Sequence, residues 1–243
     1  MKKIFCLVVF SLFFTQVAFA SFSDVKTNTY YNAAINWMAD NGVINGYVDG
    51  TFGPDICVKR VEFLKMLFET LELDEKGYDK NLLFKDTPAD AWYADYVKAA
   101  KFLGVINGFQ DGTFRPGQCV SRVEALKMAI LQFNYGKVPI IPSDIPPIYY
   151  PQDVANADET EWWFEYINYY LSVNILPTDH FTKTPTDAGV GSYVYEPLSS
   201  MSRKEVAELL YRMKTFRDNS DSEYYSNQYQ PKYIVKKFDG CGN

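Results

Sequence analysis

Apolar and polar positions between residues 93 and 130 alternate with the spacing of two helices. Tyr93, Val97, Ala100 and Phe102 mark one face of the first, and Val123, Leu126, Ala129 and Ile130 one face of the second. A recurrence of three and four residues is what a helix with one buried side produces. Gly104 stands where the first helix should end. Asp111-Gly112 signals a tight turn between the helices, with Gly112 free to take a positive φ. Ser121-Arg122-Val123-Glu124 reads as a capping box, with Ser at the N-cap and Glu at the third helical position. Two helices of this size cannot bury such faces alone, so the unit must pack against others like it.

The chain supplies those others. Phe22–Leu71 lies over Phe84–Phe133 without a gap: Phe22-x-Asp24 on Phe84-x-Asp86, and Gly42-Val43-Ile44-Asn45-Gly46 on Gly104-Val105-Ile106-Asn107-Gly108. Asp49-Gly50-Thr51-Phe52-x-Pro54 falls on Asp111-Gly112-Thr113-Phe114-x-Pro116, and Arg60-Val61-Glu62 on Arg122-Val123-Glu124. An internal match of this density is a duplication. A degraded third copy follows the stretch Pro139 to Pro151. It opens at Asp153-Val154, carries Trp162 at the distance from Ile167 that separates Trp92 from Val97, and closes on Ser202-Arg203-Lys204-Glu205. Its glycine loop is replaced by a longer, irregular insertion, roughly residues 176–195. In the first copy Lys59 stands where the cap hydroxyl should be, so that helix start is weaker.

The remaining features bound the function. Lys2 and Lys3, the apolar run Ile4 to Phe14 and Ala18-Phe19-Ala20 have the form of an export leader cleaved after Ala20. The run is shorter than the ~20 residues that span a bilayer. The expected organisation is a leader at 1–20, modules at 21–75 and 82–136, a proline-rich linker at 137–151, a degenerate module at 152–216 and a polar, Tyr-rich tail at 217–243. A formal net charge of −6, more negative once the leader is lost, disfavours nucleic acid and anionic lipid as partners. An anion would have to be met by a few local cations. Of the cysteines left after processing, Cys57 and Cys119 occupy equivalent positions and Cys241 lies in the tail; an odd number leaves at least one thiol unpaired in the monomer. Whether Cys57 and Cys119 pair stays open, because equivalent positions need not be close.

Phe-x-Asp, an aromatic residue before the first helix, the glycine loop ending Asp-Gly-Thr-Phe-x-Pro, and then Arg-x-Glu together resemble the S-layer homology module, from Phe22 to about Met213. That resemblance implies a mainly α fold in which three helix–loop–helix modules form a pseudo-threefold, spindle-like unit. It implies grooves between modules that bind secondary cell-wall polysaccharide, often through a pyruvate ketal. The groups it points to are Arg60, Arg122 and Arg203; Trp92, Trp162 and, in the first copy, Tyr30; and Gly46, Asp49, Gly108 and Asp111 of the loops. The third copy lacks the loop, so two competent grooves at most are expected. Read without the family, each Arg has two open roles. It can meet a ligand carboxylate together with backbone N–H groups of the helix start, or it can pair with a local acid such as Asp24 or Asp86 and lock the module.

No catalytic motif stands out, although the abundant carboxylates leave a glycosidase pair, and so a wall-active hydrolase, as a third alternative. His180 is the sole histidine, and neither a nucleophile elbow nor a paired-His metal motif appears. The loops lack the repeated carboxylates of a calcium site, and no cofactor or metal is expected. The chain is expected to be an exported, non-catalytic wall-binding protein. The alternative is a structural surface-layer component that makes protein–protein contacts with other surface-layer proteins.

Overall fold

The structure is a computed structural model and describes residues 22–134, 136–138, 151–172, 182–184 and 192–219. The leader, Cys241, His180 and most of the proline-rich linker and tail lie outside these residues. The described part is mainly helical: α1 (Asn32–Asp40), α2 (Arg60–Thr70), α3 (Ala94–Phe102), α4 (Arg122–Phe133), the single turn α5 (Gln152–Ala155), α6 (Phe164–Ser172) and α7 (Arg203–Asn219). None of these helices is long and apolar enough to cross a membrane.

Three expectations need correction. The insertion of the third copy is not wholly irregular: β1 (Thr182–Thr184) and β2 (Ser192–Val194) form an antiparallel ribbon with Lys183 opposite Tyr193. Helix α7 also continues to Asn219, past the expected start of the tail. Phe102 does not join the apolar face predicted for α3; it is exposed and rests against Tyr78, while Tyr96 and Ala99 take the buried positions. On α4 the predicted face holds, with Val123, Leu126, Ala129 and Ile130 fully buried.

Three aspartates fold each copy onto its own loop. Asp24 accepts the N–H groups of Phe52 and Gly53 at 2.7 and 2.8 Å, and Asp86 those of Phe114 and Arg115 at 2.8 and 2.7 Å. Asp153 does the same for Tyr195 and Glu196 at 2.8 and 2.6 Å. The clipped aromatic, Phe52, Phe114 or Tyr195, is buried in each case. The segment after the long insertion is thus clipped in the same way as the loops at Phe52 and Phe114.

The segments ahead of α2, α4 and α7 then close a ring. The Val58 N–H donates to Met201 O, Met201 N–H to Val120 O, and Val120 N–H to Val58 O, at 3.0, 2.9 and 2.8 Å. Isolated bridges Cys57↔Ser202, Lys59↔Cys119 and Ser121↔Ser200 repeat the same step around the ring. Helices α2, α4 and α7 touch one another, and each packs on the first helix of another copy: α2 on α3, α4 on α6 and α7 on α1. Among the described residues, the main helix contacts thus run between copies, as expected for short helix pairs. The ring also settles the cysteine question. Cys57 and Cys119 form a disulfide, with Cα atoms 5.8 Å apart, because the bond from Val120 N–H to Val58 O and the Lys59↔Cys119 bridge lay the two segments side by side.

Candidate ligand grooves

Each Arg begins a helix and reaches across to another copy. Arg60 Nε donates to Phe114 O at 2.9 Å, and Arg203 Nε to Phe52 O at 2.9 Å. Arg122 is turned differently: its Nη1, not Nε, meets Tyr195 O at 3.0 Å. The acids proposed as local partners, Asp24 and Asp86, are occupied by the loop clips instead. Arg60 pairs with Glu124 at 2.7 Å. Arg122 pairs with Glu205 at 2.8 Å and Glu196 at 3.0 Å. Arg203 forms no ion pair among the described residues; its Nη2 donates to Asn45 O at 3.2 Å, and its guanidinium lies over the Tyr47 and Phe52 rings at 5.5 and 4.6 Å.

Burial pushes the Arg60 guanidinium below its ordinary value, against the pull of Glu124. Burial acts on Arg122 in the same direction, but Glu205 and Glu196 outweigh it and hold its proton more firmly. Burial alone would raise the Glu205 carboxyl; hydrogen bonds from Arg122 and from the N–H and hydroxyl of Ser202 bring it below the usual carboxylate range.

The backbone half of the expected anion site is absent. First-turn N–H groups that would face an anion are already bonded across the ring: Arg60, Arg122 and Arg203 N–H donate to Gln118, Ser199 and Ile56 O, each at 2.9 Å. The next N–H in each helix is held by Pro116, Pro197 or Pro54. The ring satisfies the donors that a free helix end leaves open, so an anion here would be met by side chains.

Around Arg60 the copies leave a cleft of about 660 Å3. Its walls are the glycine loop Val105 to Asp111, Arg115 beyond it, Glu124, Lys127 and Met128 of α4, and Trp162 from the third copy. Trp162 is exposed, whereas its neighbour Trp163 is buried. The Lys127 ammonium stands 5.2 Å from the Trp162 ring and 5.4 Å from Tyr166; burial lowers its pKa, with Glu165 pulling the other way. The Phe109 ring lies beside both Arg60 and Arg115, at 5.1 and 3.8 Å. Lys127, Phe109 and Arg115 were not singled out in the sequence. Lys127 recurs as Lys65 one copy earlier, a signal hidden because it reads equally well as the solvated side of a helix.

The other predicted site residues are distributed unevenly. Trp92 is exposed and packs edge-on against Tyr93, and Tyr30 is half-buried beside Tyr31. Gly46 and Gly108 let the Phe22 and Phe84 rings lie against the backbone; a Cβ there would come within 2.3 and 2.2 Å of a ring carbon. Asp49 and Asp111 each accept the N–H and hydroxyl of the Thr two residues on, closing the turn. Those bonds, assisted by Arg115, hold Asp111 down at about 2. A shallower hollow of about 540 Å3 lies by the first loop, lined by Tyr47, Val48, Asp49, Thr51, Gly53 and Ile56.

Comparison with known proteins agrees with the motif. The family model for the S-layer homology domain matches residues 21–63 and 83–126. The chain is 35% identical over 109 residues to the Surface-layer 125 kDa protein of Lysinibacillus sphaericus, which covers 45% of this chain and 9% of that protein. It is 32% identical over 111 residues to the Cellulosome-anchoring protein of Acetivibrio thermocellus, covering 44% and 25% respectively. Exoglucanase XynX of Acetivibrio thermocellus matches at 31% over 115 residues, 47% of this chain and 10% of the enzyme. The chain thus spans a quarter or less of the length of these relatives. It matches the S-layer homology domain model twice in tandem, at residues 21–63 and 83–126.

Proposed function

We propose that the chain acts at the cell wall or cell surface as a non-catalytic anchor, holding an anionic wall polysaccharide in grooves between its modules. The observation that carries this reading is the Arg60 cleft, where a guanidinium, the Lys127 ammonium and the open Trp162 ring line one cavity. Cations there would meet a carboxylate such as a pyruvate ketal, and the indole supplies a face for a sugar ring. In this reading residues 152–216 act as a third, degenerate module; the closed hydrogen-bonded ring supports it. Arg60, Arg203, Trp92 and Trp162 are the contact residues, Tyr30 and Arg122 belong to the weakest groove, and Gly46, Asp49, Gly108 and Asp111 shape the loops. The similarity to surface-layer and anchoring proteins supports the location.

The test is co-sedimentation with purified, protein-free wall sacculi, before and after mild acid removal of ketal-linked pyruvate. Retention should fall after the acid treatment, and Trp162→Ala should weaken it about tenfold, the scale of one lost aromatic contact. Undiminished retention after depyruvylation would discard pyruvate and keep wall binding. No retention on any sacculi would favour the second reading, a surface-layer component that makes protein contacts. The exposed apolar group Tyr47, Val48 and Ile56 speaks for that one.

A further inference from the structure

The surroundings of Arg203, Arg60 and Arg122 share one backbone position that carries a different residue in each. Gly53, Arg115 and Glu196 each follow the buried aromatic, each have their N–H held by the clip aspartate, and each adopt a positive φ, of 71°, 59° and 53°. One fold position thus offers no side chain, a cation and an anion. For Arg and Glu such a φ carries a strain that Gly avoids, so the charged side chains stand there in spite of the backbone.

We propose that this residue sets which groove accepts an acidic glycan: Arg115 makes the Arg60 cleft cationic, and Glu196 shuts the Arg122 groove by placing the chain's own carboxylate on that arginine. The proposal rests on the grooves being glycan sites, and deepens that reading by assigning selectivity among them.

At Arg122 both ends of the guanidinium are taken. The inner one holds Glu205, whose side chain is 11% exposed. The outer one holds Glu196, which is 45% exposed and therefore lies on the side from which a ligand arrives. An incoming carboxylate would have to displace an intramolecular partner already at 3.0 Å, and Glu205 and Glu196 together leave the groove net negative. In the Arg60 cleft, among the described residues, only Glu124 pairs with the arginine. Arg115 and Lys127 are added there, and Asp111 offsets Arg115 across 3.2 Å. Counted over these side chains, the cleft is net positive. Arg203 faces Gly53 with no carboxylate bound to it among the described residues, and stays open.

Isothermal titration of the full mature chain with a methyl hexoside bearing a 4,6-linked pyruvate ketal tests this. Glu196→Gln removes the charge and keeps the backbone clip; Glu196→Gly copies Gly53 and relieves the positive φ. Either variant should bind one more ligand per chain than the wild type. Arg115→Gln should weaken the site that quenches Trp162 fluorescence by about threefold, with no change in stoichiometry. Both Glu196 variants retaining wild-type stoichiometry, with unchanged circular dichroism, would overturn the assignment and leave the glycan reading intact. No binding of the hexoside or of sacculi by the wild type would overturn both.

Discussion

At the scale of single residues, the arginines that begin the helices illustrate how much a motif leaves open. Arg-x-Glu is legible in the sequence, and so is the likelihood that its arginine meets a carboxylate. Which carboxylate it meets was not legible, because Glu124, Glu196 and Glu205 reach their arginines from distant parts of the chain. Glu205 has a measurable consequence. Its folded pKa is depressed, so the stabilisation it provides is complete above the ordinary glutamate value of about 4.3. That stabilisation is lost as pH falls through the lower folded value. Glu205→Gln should cost about 1.5–3 kcal/mol at neutral pH, the worth of a hydrogen bond to a charged group. Urea unfolding at stepped pH should show the deficit shrinking below about pH 4; a deficit independent of pH would mean that the ion pair contributes nothing.

At the scale of elements, the capping boxes were legible because they are local. Ser121 accepts from the Glu124 N–H while Glu124 receives the Ser121 N–H at 3.0 Å, and Ser202 with Glu205 repeats the second bond at 2.7 Å. Lys59 keeps only that half: its N–H reaches Glu62 at 2.9 Å, and an ammonium has no lone pair to return the bond. Its φ and ψ of −73° and 153° already suit a cap, and the residue is exposed. Lys59→Thr should therefore raise stability by about 1 kcal/mol, and Ser121→Ala lower it by a similar amount. Thermal unfolding of both variants checks the pair, and equal losses in the two would show that α2 is not limited by its cap. The third copy's ribbon escaped the sequence reading because its strands are three residues each. At that length periodicity carries no information.

At the scale of the whole molecule, the ring through Val58, Met201 and Val120 ties the segment ahead of α7 to those ahead of α2 and α4. Helix α1 packs on α7 and α2 on α3, so a chain ending at residue 138 would leave the apolar face of α1 uncovered. It should be cut by trypsin far faster than the full protein; equal resistance would show that the first two copies close without α7. The Cys57–Cys119 bridge ties positions 62 residues apart. By loop-closure entropy a link of that span stabilises by up to about 4 kcal/mol. Cys57→Ser with Cys119→Ser should therefore unfold at lower urea with or without reductant, whereas the wild type should weaken only when reduced. A wild type insensitive to dithiothreitol, with its free thiols counted, would show that the bridge does not restrain the unfolded chain.

The repeat, the helix pairs, their caps and turns, and the likeness of residues 21–63 and 83–126 to the S-layer homology domain are all legible in the chain alone. All of these are written in short-range spacing, where propensity and hydrogen bonding act between near neighbours. Only the tertiary structure decided that equivalent cysteines meet, that the first-turn N–H groups are bonded across the ring, and that Lys127 and Arg115 face the same cleft as Arg60. Only it decided that Arg122 is already occupied by Glu196. These residues lie far apart in sequence and meet only where the Val58–Met201–Val120 ring brings their segments together. A linear pattern specifies each module without specifying which charges of the others it will face.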